Sequence, residues 1–396
     1  MTHKLTQQTA EFIRQHQSDD VKKLALQARN YPEVDMPMAL TQIAGRQISA
    51  SKLPSWHAVE GILYPQHLSM EQCSSELTAR YKATLVSGGR MADLTGGFGI
   101  DCSFLARQFE KADYVERQEA LCSIARHNFL LLGLNHIEVH HADGVEFLKQ
   151  LDSADCIFLD PARRDKNGGK TVSVADCEPD AGMLEPLLLE KAPTVLLKLS
   201  PMLDISLALQ ALPHTSAVHI VSVSNECKET LLLLKRTVEG AVPICCANLT
   251  GQQNDVFVFT REEEAEAICP YTSQIGRYLY EPNASLLKAG AYKILAQRFA
   301  LKKLHPNSHL YTSDTVVPEF PGRVFEVKGE SSLNKKELKQ MLGEQAKANL
   351  TVRNFPASVA ELRKRIKLKE GGDTYLFATT LSDESKKLII CKKFNA

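Results

Sequence analysis

A glycine-rich turn at residues 92–101 constrains the fold of this 396-residue chain more than any other feature. The tract reads Ala-Asp-Leu-Thr-Gly-Gly-Phe-Gly-Ile-Asp, and it lies between an apolar run that predicts a strand and a segment that predicts a helix. Glycines in such a turn let a nucleotide-like ligand approach the backbone closely. Taken alone, the turn is compatible with several nucleotide cofactors or with none.

Acidic residues stand at the carboxyl ends of the predicted strands in this region. Asp93 ends the first strand, Glu116 the second, Asp143 the third and Asp160 the fourth. An acid about 20 residues beyond a glycine-rich turn can accept both hydroxyls of an adenosine ribose. Because parallel strands present their carboxyl ends at one edge of a sheet, the order predicts a cofactor site there, and it leaves NAD and S-adenosylmethionine open.

These motifs resemble those of class I S-adenosylmethionine-dependent methyltransferases. The more specific likeness is to a bacterial group of RNA methyltransferases with a THUMP-like C-terminal domain, and it rests on residues 71–76, 93–101 and 160–163. The similar region spans residues 65–200 by motif order. The resemblance implies an α/β, Rossmann-like class I methyltransferase domain with a mostly parallel sheet and helices on both faces, S-adenosyl-L-methionine as cofactor, and RNA, a tRNA or rRNA, as partner.

Residue roles follow from the resemblance. Gly97 and Gly99 would pack against the methionine end of the cofactor, Glu116 would accept the ribose hydroxyls, and Asp143 would accept the adenine amine. The full predicted cofactor-binding set is Asp93, Thr95, Gly97, Gly99, Asp101, Glu116, Asp143 and Gln72. For each acid the structural alternative is a helix N-cap or a turn residue, and Ser69 and Gln72 also have capping-box spacing.

The predicted catalytic residues are Asp160 and Arg163. In methyltransferases that act on exocyclic base amines, the matching tract often reads Asp or Asn, Pro, Pro and then an aromatic residue. Here Ala162 and Arg163 replace the second proline and the aromatic residue, so the sequence does not favour an amine acceptor. Arg163 can stack on a base or hold a phosphate, or it can pair with Asp160 or Asp165. Lys198 and Ser200 are predicted at the same sheet edge.

The length of the chain predicts more than one domain. Residues 1–64 predict a helical N-terminal domain, and alternating strand and helix patterns over 65–265 predict the cofactor-binding domain. Residues 266–320 predict a helical linking segment, with one long helix beginning near Asn283. Residues 321–396 predict a small α+β domain in the order strand, helix, strand, helix, strand, strand.

The C-terminal part is basic although the whole chain has no net charge, with 47 basic and 47 acidic residues. Residues 314–396 hold sixteen Lys or Arg and eleven Asp or Glu, a net charge of +5. Clustered cations on one helix suit contacts with a phosphate backbone, and a solvated helix face is the alternative. The likeness to THUMP-like modules favours RNA, and the predicted RNA-binding residues are Arg363, Lys364, Arg365 and Lys367.

Composition and motifs narrow the remaining classes of protein. No secretory signal and no apolar run of membrane-spanning length is found, and ten scattered cysteines without a Cys-x-x-Cys pair favour a reduced, cytoplasmic protein. His140 and His141 show no carboxylate companions at ligand spacing, so no metal site is predicted. An NAD-dependent oxidoreductase would need a centre for hydride transfer, and the sequence shows no convincing Tyr-x-x-x-Lys motif or His-Asp pair for it. A non-catalytic RNA-binding protein and a methyltransferase of a protein or small-molecule acceptor stay open as alternatives.

Overall fold

The computed structural model describes residues 6–163, 173–251, 254–342 and 347–394. The chain divides into two compact units. The first unit contains residues 1–218 and 229–239, and the second contains residues 219–228 and 240–396. The division passes through a pair of consecutive strands, β8 (Thr215–Val223) and β9 (Glu226–Lys235).

The first unit alternates helices and strands after a helical N-terminal part. Its helices are α1 (Gln7–Gln15), α2 (Val21–Leu26), α3 (Met36–Lys52), α4 (Pro54–His57), α5 (His67–Gln72), α6 (Glu76–Ala83), α7 (Ile100–Leu105), α8 (Glu119–Leu131), α9 (Gly144–Gln150), α10 (Ala181–Lys191) and α11 (Ile205–Ala211). Its strands, besides β8 and β9, are β1 (Gly88–Asp93), β2 (Phe109–Glu116), β3 (Ile137–His141), β4 (Cys156–Leu159), β5 (Ala162–Arg163), β6 (Cys177–Glu178) and β7 (Thr194–Leu199).

A mostly parallel sheet organises the first unit, with the strand order β9-β7-β4-β1-β2-β3. The pairs β1–β2, β2–β3, β1–β4 and β4–β7 are parallel, and β9 runs antiparallel to β7. All four residues of β4 are buried, in agreement with its continuous apolar sequence. Such a sequence is typical of a central strand in a parallel sheet. The predicted α/β sheet is confirmed, and its strand order puts the ends of β1, β2, β4 and β7 at one edge.

The N-terminal helices confirm the predicted helical part, and they pack in two groups. Asp20 caps α2 by accepting hydrogen bonds from the Lys22 and Lys23 amides. One core is built from α1, α2 and α3 around Phe12 and Ile43. A second core joins residues 53–70 to the glycine-rich turn, since Trp56 packs edge-on against Phe98.

The second unit is built largely on antiparallel strands. Strands β10 (Ile244–Leu249) and β11 (Asn254–Phe259) form an antiparallel pair. The other elements are α12 (Arg261–Glu266), β12 (Tyr278–Pro282), α13 (Ala284–Ala289), α14 (Lys293–Arg298), β13 (Lys302–Lys303), β14 (Tyr311–Ser313), β15 (Gly322–Ser331), α15 (Lys335–Leu342), β16 (Asn349–Arg353), α16 (Val359–Ile366), β17 (Thr374–Thr380) and β18 (Lys386–Lys393).

A second sheet in this unit has the order β13-β14-β12-β15-β18-β17-β16. The predicted succession of strands and helices over residues 321–396 is confirmed. The single long helix predicted after Asn283 is wrong, because the chain forms two short helices there and three strands between residues 278 and 313. Asn283 does cap the first helix, and Gly290, at φ +79°, ends it in a left-handed conformation.

Candidate active site

The glycine-rich turn lies between β1 and α7 and is held by hydrogen bonds to the neighbouring strands. The Thr95 amide donates to Asp93 Oδ1 over 3.0 Å, and the Gly97 amide donates to Glu116 Oε2 over 2.9 Å. Gly97 and Gly99 have φ values of +55° and +86°. Since residues with side chains rarely adopt such angles, these two glycines set the path of the turn.

Close packing explains a third glycine in the same turn. A Cβ atom at Gly96 would lie 2.3 Å from the ring of Tyr114. The hydroxyl of Tyr114 donates a 2.5 Å hydrogen bond to the Gly97 carbonyl. The two contacts fix the turn directly over β2. A Cβ at Gly97, by contrast, would meet only the Thr95 carbonyl oxygen, at 3.8 Å, within the part of the chain that the structure describes, so these residues leave that side of the turn open.

Asp93 is almost completely buried at the end of β1. Burial raises its pKa well above its usual range, and the carboxylates of Asp101, Asp160 and Glu116 act in the same direction. Its Oδ2 atom has no hydrogen-bond partner among the residues that the structure describes. A buried polar atom without a partner is costly in a folded protein, so this atom is suited to form a hydrogen bond with a ligand.

Glu116 and Asp143 both use backbone amides as partners. The Glu116 carboxylate accepts from the Gln118 amide as well as from Gly97. Asp143 caps α9 by accepting from the Val145 and Glu146 amides through Oδ1. The N-cap anticipated as the structural alternative for Asp143 is therefore present, and its other oxygen makes no bond to these amides.

Gln72 is an exposed residue at the end of α5. The capping box proposed for Ser69 and Gln72 is wrong, because α5 begins at His67 and Ser69 lies inside it. The side chain that caps the following helix α6 is that of Ser75, which accepts from the Thr78 amide. The capping-box spacing of Ser69 and Gln72 therefore does not mark the start of a helix.

Asp160 follows β4 and is joined both to the glycine-rich turn and to β7. Its amide donates to Thr95 Oγ1 over 2.7 Å, and its Oδ2 accepts a 2.5 Å hydrogen bond from Lys198 Nζ. Lys198, predicted at the same edge, therefore contacts the predicted catalytic carboxylate directly. The backbone of Arg163 pairs with Cys177 in the small β5–β6 ladder, while its side chain and Asp165 lie outside the described residues.

A buried cluster of charges extends inward from Lys198. Lys198 Nζ lies 3.5 Å from Asp101 Oδ2, which also accepts from Ser74 Oγ. Lys82 Nζ, on α6, lies 3.2 Å from Asp101 Oδ1 and donates to both carboxylate oxygens of Glu229 over 2.6 and 2.7 Å. We call Asp160, Lys198, Asp101, Lys82 and Glu229 the charge cluster.

Sequence reasoning missed two members of this cluster, Lys82 and Glu229. Lys82 is fully buried, which is rare for a lysine unless it is paired. Glu229 lies on β9, a strand that the sequence analysis did not predict. An apolar run from Leu231 to Leu234, which begins two residues after Glu229, is the signal that could have identified this strand.

His140 has a carboxylate neighbour that its own strand does not reveal. Its Nε2 lies 2.9 Å from Asp113 Oδ1 on the adjacent strand, so the premise that it lacks such companions is wrong. Together with Glu138, these residues form a group whose possible ligand atoms lie within 4.8 Å of one another. Arg90 already supplies a positive charge there, since its Nε donates to Asp113 Oδ2 over 2.8 Å.

The predicted RNA-binding residues lie on and just after α16 in the second unit. Leu362 is buried in a core with Leu350 and Leu376, while Lys364, Arg365 and Lys367 are exposed. Arg363 differs from the others because most of its side chain is buried and its Nη2 donates to the Ala348 carbonyl. The exposed cationic surface is therefore formed by Lys364, Arg365, Lys367 and Lys369, which we call the α16 basic surface.

Comparison with known proteins gives consistent matches over both units. A solved structure described as "putative methyltransferase from Porphyromonas gingivalis W83" is 36% identical, covers 98% of each chain and has a TM-score of 0.86. Two Mycobacterium tuberculosis proteins, from strains CDC 1551 and H37Rv, are named uncharacterized S-adenosylmethionine-dependent methyltransferases. Each is 23% identical over 76% of this chain and 80% of its own length.

Family models match the C-terminal region. A ferredoxin-like domain matches residues 278–321, and a THUMP domain-like model matches residues 322–393. No helix within the described residues is long and apolar enough to cross a membrane. The residues of the α16 basic surface fall inside the THUMP-like match.

The strand order, the glycine-rich turn and the acids at the strand ends define a Rossmann-like S-adenosylmethionine-dependent methyltransferase. The chain belongs to the methyltransferase family of the Porphyromonas gingivalis protein, with which it shares its full length. The class, the cofactor and the THUMP-like C-terminal domain implied by the sequence motifs are thus confirmed.

Proposed function

We propose that this methyltransferase modifies RNA, with the first unit binding the cofactor and the second unit binding the RNA. The observation that carries the proposal is the α16 basic surface within a THUMP-like domain of a methyltransferase chain. Four exposed cations lie within residues 364–369, and clustered lysines and arginines can neutralise phosphates of a nucleic-acid backbone. A protein or small-molecule acceptor would not require this surface.

The residues of the glycine-rich turn fit S-adenosylmethionine. Among the described residues, Asp93 Oδ2 has no hydrogen-bond partner and one side of Gly97 is open, which leaves a polar atom and space for a bound ligand. In our proposal Glu116 accepts the ribose hydroxyls and Asp143 the adenine amine. Asp93, Thr95, Gly97, Gly99, Asp101 and Gln72 surround the methionine end. When bound, the cofactor supplies an electrophilic methyl group on a sulfonium.

The protein must bring the acceptor into line with that methyl group and accept a proton. Asp160 is the proposed acceptor-facing residue, because its side chain is 37% exposed whereas the rest of the charge cluster is largely buried. Thr95 lies in the glycine-rich turn, and its hydroxyl oxygen accepts a hydrogen bond from the Asp160 amide. This bond fixes the distance between Asp160 and the turn. Arg163 is proposed to hold a base or a phosphate of the acceptor.

Replacing Asp160 with alanine is expected to abolish RNA methylation while S-adenosylmethionine binding is retained. The reason is that Asp160 contacts the acceptor in our proposal, whereas Glu116 and the turn hold the cofactor. The measurements are isothermal titration with S-adenosylmethionine and transfer of a tritiated methyl group to total RNA from a strain lacking the gene. Asp152→Ala, which removes an exposed acid from the loop that precedes β4, is the control. Unchanged methylation by Asp160→Ala would make the non-catalytic alternative the better account.

The double variant Lys364→Ala/Arg365→Ala is expected to bind RNA more weakly and with less salt dependence. Loss of two phosphate contacts should reduce the slope of log K against log salt concentration by about 1.4 to 1.8. Fluorescence anisotropy with labelled tRNA at several potassium chloride concentrations measures this slope. The control is Lys392→Ala/Lys393→Ala, which removes equal charge from exposed positions on β18. Equal slopes for both pairs would show that α16 has no particular role.

A further inference from the structure

The carboxylate proposed to face the acceptor has a lysine bonded to it. Lys198 Nζ donates to Asp160 Oδ2. The Lys198 side chain is 14% exposed and that of Asp160 37%, so a mostly buried ammonium group is bonded to the more exposed carboxylate at the same sheet edge. A methyltransferase site whose acceptor-facing residue is a lone carboxylate would offer only negative charge. This site offers a hydrogen-bond acceptor and a cation side by side.

The charge cluster holds this lysine in place and keeps it protonated. Burial alone would lower the pKa of Lys198, but Asp160, Asp101 and Glu229 raise it above its ordinary value. Burial alone would raise the pKa of Asp101, but Lys82 and Lys198 lower it. Lys82 thus keeps Asp101 ionised through the 3.2 Å contact, and Asp101 in turn keeps Lys198 cationic.

The fixed cation distinguishes between two kinds of acceptor atom. An exocyclic amine becomes positively charged as its nitrogen attacks the methyl group, and a neighbouring ammonium opposes that change. A hydroxyl becomes negatively charged as its proton leaves, and a neighbouring ammonium stabilises the developing alkoxide. The departure of Ala162 and Arg163 from the amine-modifying tract agrees with the second case.

We propose that the acceptor is a ribose 2′-hydroxyl of RNA, an inference that rests on the proposed function. RNA is the proposed substrate, and in the internal nucleotides of an RNA chain the 3′-oxygen is esterified, so the 2′-hydroxyl is the free hydroxyl of each ribose. Asp160 takes the hydroxyl proton while Lys198 donates a hydrogen bond to the oxygen. The oxygen lone pair forms the new O–CH3 bond, the S–CH3 bond breaks, and its electron pair stays on sulfur. The products are the 2′-O-methyl ribose, S-adenosylhomocysteine and one proton.

The position of the methyl group tests this inference. Total RNA from a strain lacking the gene is incubated with the full-length protein and tritiated S-adenosylmethionine, and the product is hydrolysed with alkali. A 2′-O-methyl group blocks cleavage of the adjacent phosphodiester, so label is expected in alkali-stable dinucleotides. Label in mononucleotides as a methylated base would overturn this inference and leave the proposed function standing. No label in RNA would overturn both.

Lys198 variants separate its chemical role from a structural one. Lys198→Met is expected to lower kcat about 100-fold or more, as for loss of one donor to a developing oxyanion, while Lys198→Arg retains part of the rate. The affinity for S-adenosylmethionine, measured by calorimetry, is expected to stay within threefold of wild type in both variants. The control is Lys191→Met, whose side chain is 18% exposed. Equal losses for methionine and arginine, or a parallel loss of cofactor affinity, would contradict the assignment.

Discussion

Replacing Lys82 with methionine is expected to destabilise the first unit by about 3–5 kcal/mol, the usual effect of removing one partner from a buried ion pair. Lys82 is fully buried and donates to both oxygens of Glu229, so the variant leaves that carboxylate without its cation. Urea unfolding measures the change. Trp56, the only tryptophan, is buried in the first unit and reports on this unit alone.

A second substitution distinguishes the ion pair from simple loss of packing. In the double variant Lys82→Met/Glu229→Gln, the unpaired carboxylate is gone, so the total destabilisation should be clearly smaller than the sum of the single effects. Lys111→Met, an exposed lysine on β2, should change stability by less than about 0.5 kcal/mol. Strict additivity in the double variant would show that the pair is not energetically coupled.

The pH dependence gives an independent check on the same variant. Burial already raises the pKa of Glu229 above its ordinary value against the effect of Lys82, whereas Lys82 and Lys198 lower the pKa of Asp101. Without Lys82, both folded-state pKa values are expected to rise, that of Glu229 further above its unfolded value of about 4. A carboxyl with a raised folded-state pKa binds more protons in the folded state, so stability increases as the pH falls through that pKa. The difference in stability between wild type and Lys82→Met should therefore shrink from pH 7.5 to pH 5. A constant difference would point to lost packing instead.

The sequence was sufficient for the parts of the fold that local patterns specify. The turn at residues 92–101, the acids at the strand ends and the α+β order of residues 321–396 all follow from glycine position, apolar runs and chain order. The prediction of one long helix after Asn283 was wrong because the helical spacing of apolar residues continues on both sides of Gly290. The positive φ angle of Gly290 ends the helix there.

The charge cluster depends on tertiary contacts that no local pattern encodes. Lys82 and Glu229 are 147 residues apart and meet only because β9 turns back beside β7 while α6 packs close to α7. The His140–Asp113 pair has the same origin, since the register of two adjacent parallel strands brings them together. Such pairings require the strand order, which a single sequence does not supply.

Replacing Glu116 with alanine is expected to reduce the affinity for S-adenosylmethionine at least about 100-fold. In our proposal its carboxylate accepts two ribose hydroxyls, and each hydrogen bond to a charged group contributes about 1.5–3 kcal/mol. The same carboxylate binds the Gly97 and Gln118 amides, so its loss also loosens the turn that approaches the cofactor. Isothermal titration with S-adenosylmethionine and with S-adenosylhomocysteine measures the loss.

Two further variants separate these contributions. Glu116→Gln keeps one carbonyl oxygen as an acceptor and should lose affinity by only about tenfold, because one of its former acceptor positions becomes a donor. Glu138→Ala removes a highly exposed acid from the adjacent strand β3 and should bind normally, which excludes a general effect of net charge. If Glu116→Ala and Glu138→Ala bound the cofactor equally well, the ribose contact would have to be assigned to another residue. Because Asp143 is the next acid along this edge, Asp143→Ala would then be expected to show the larger loss.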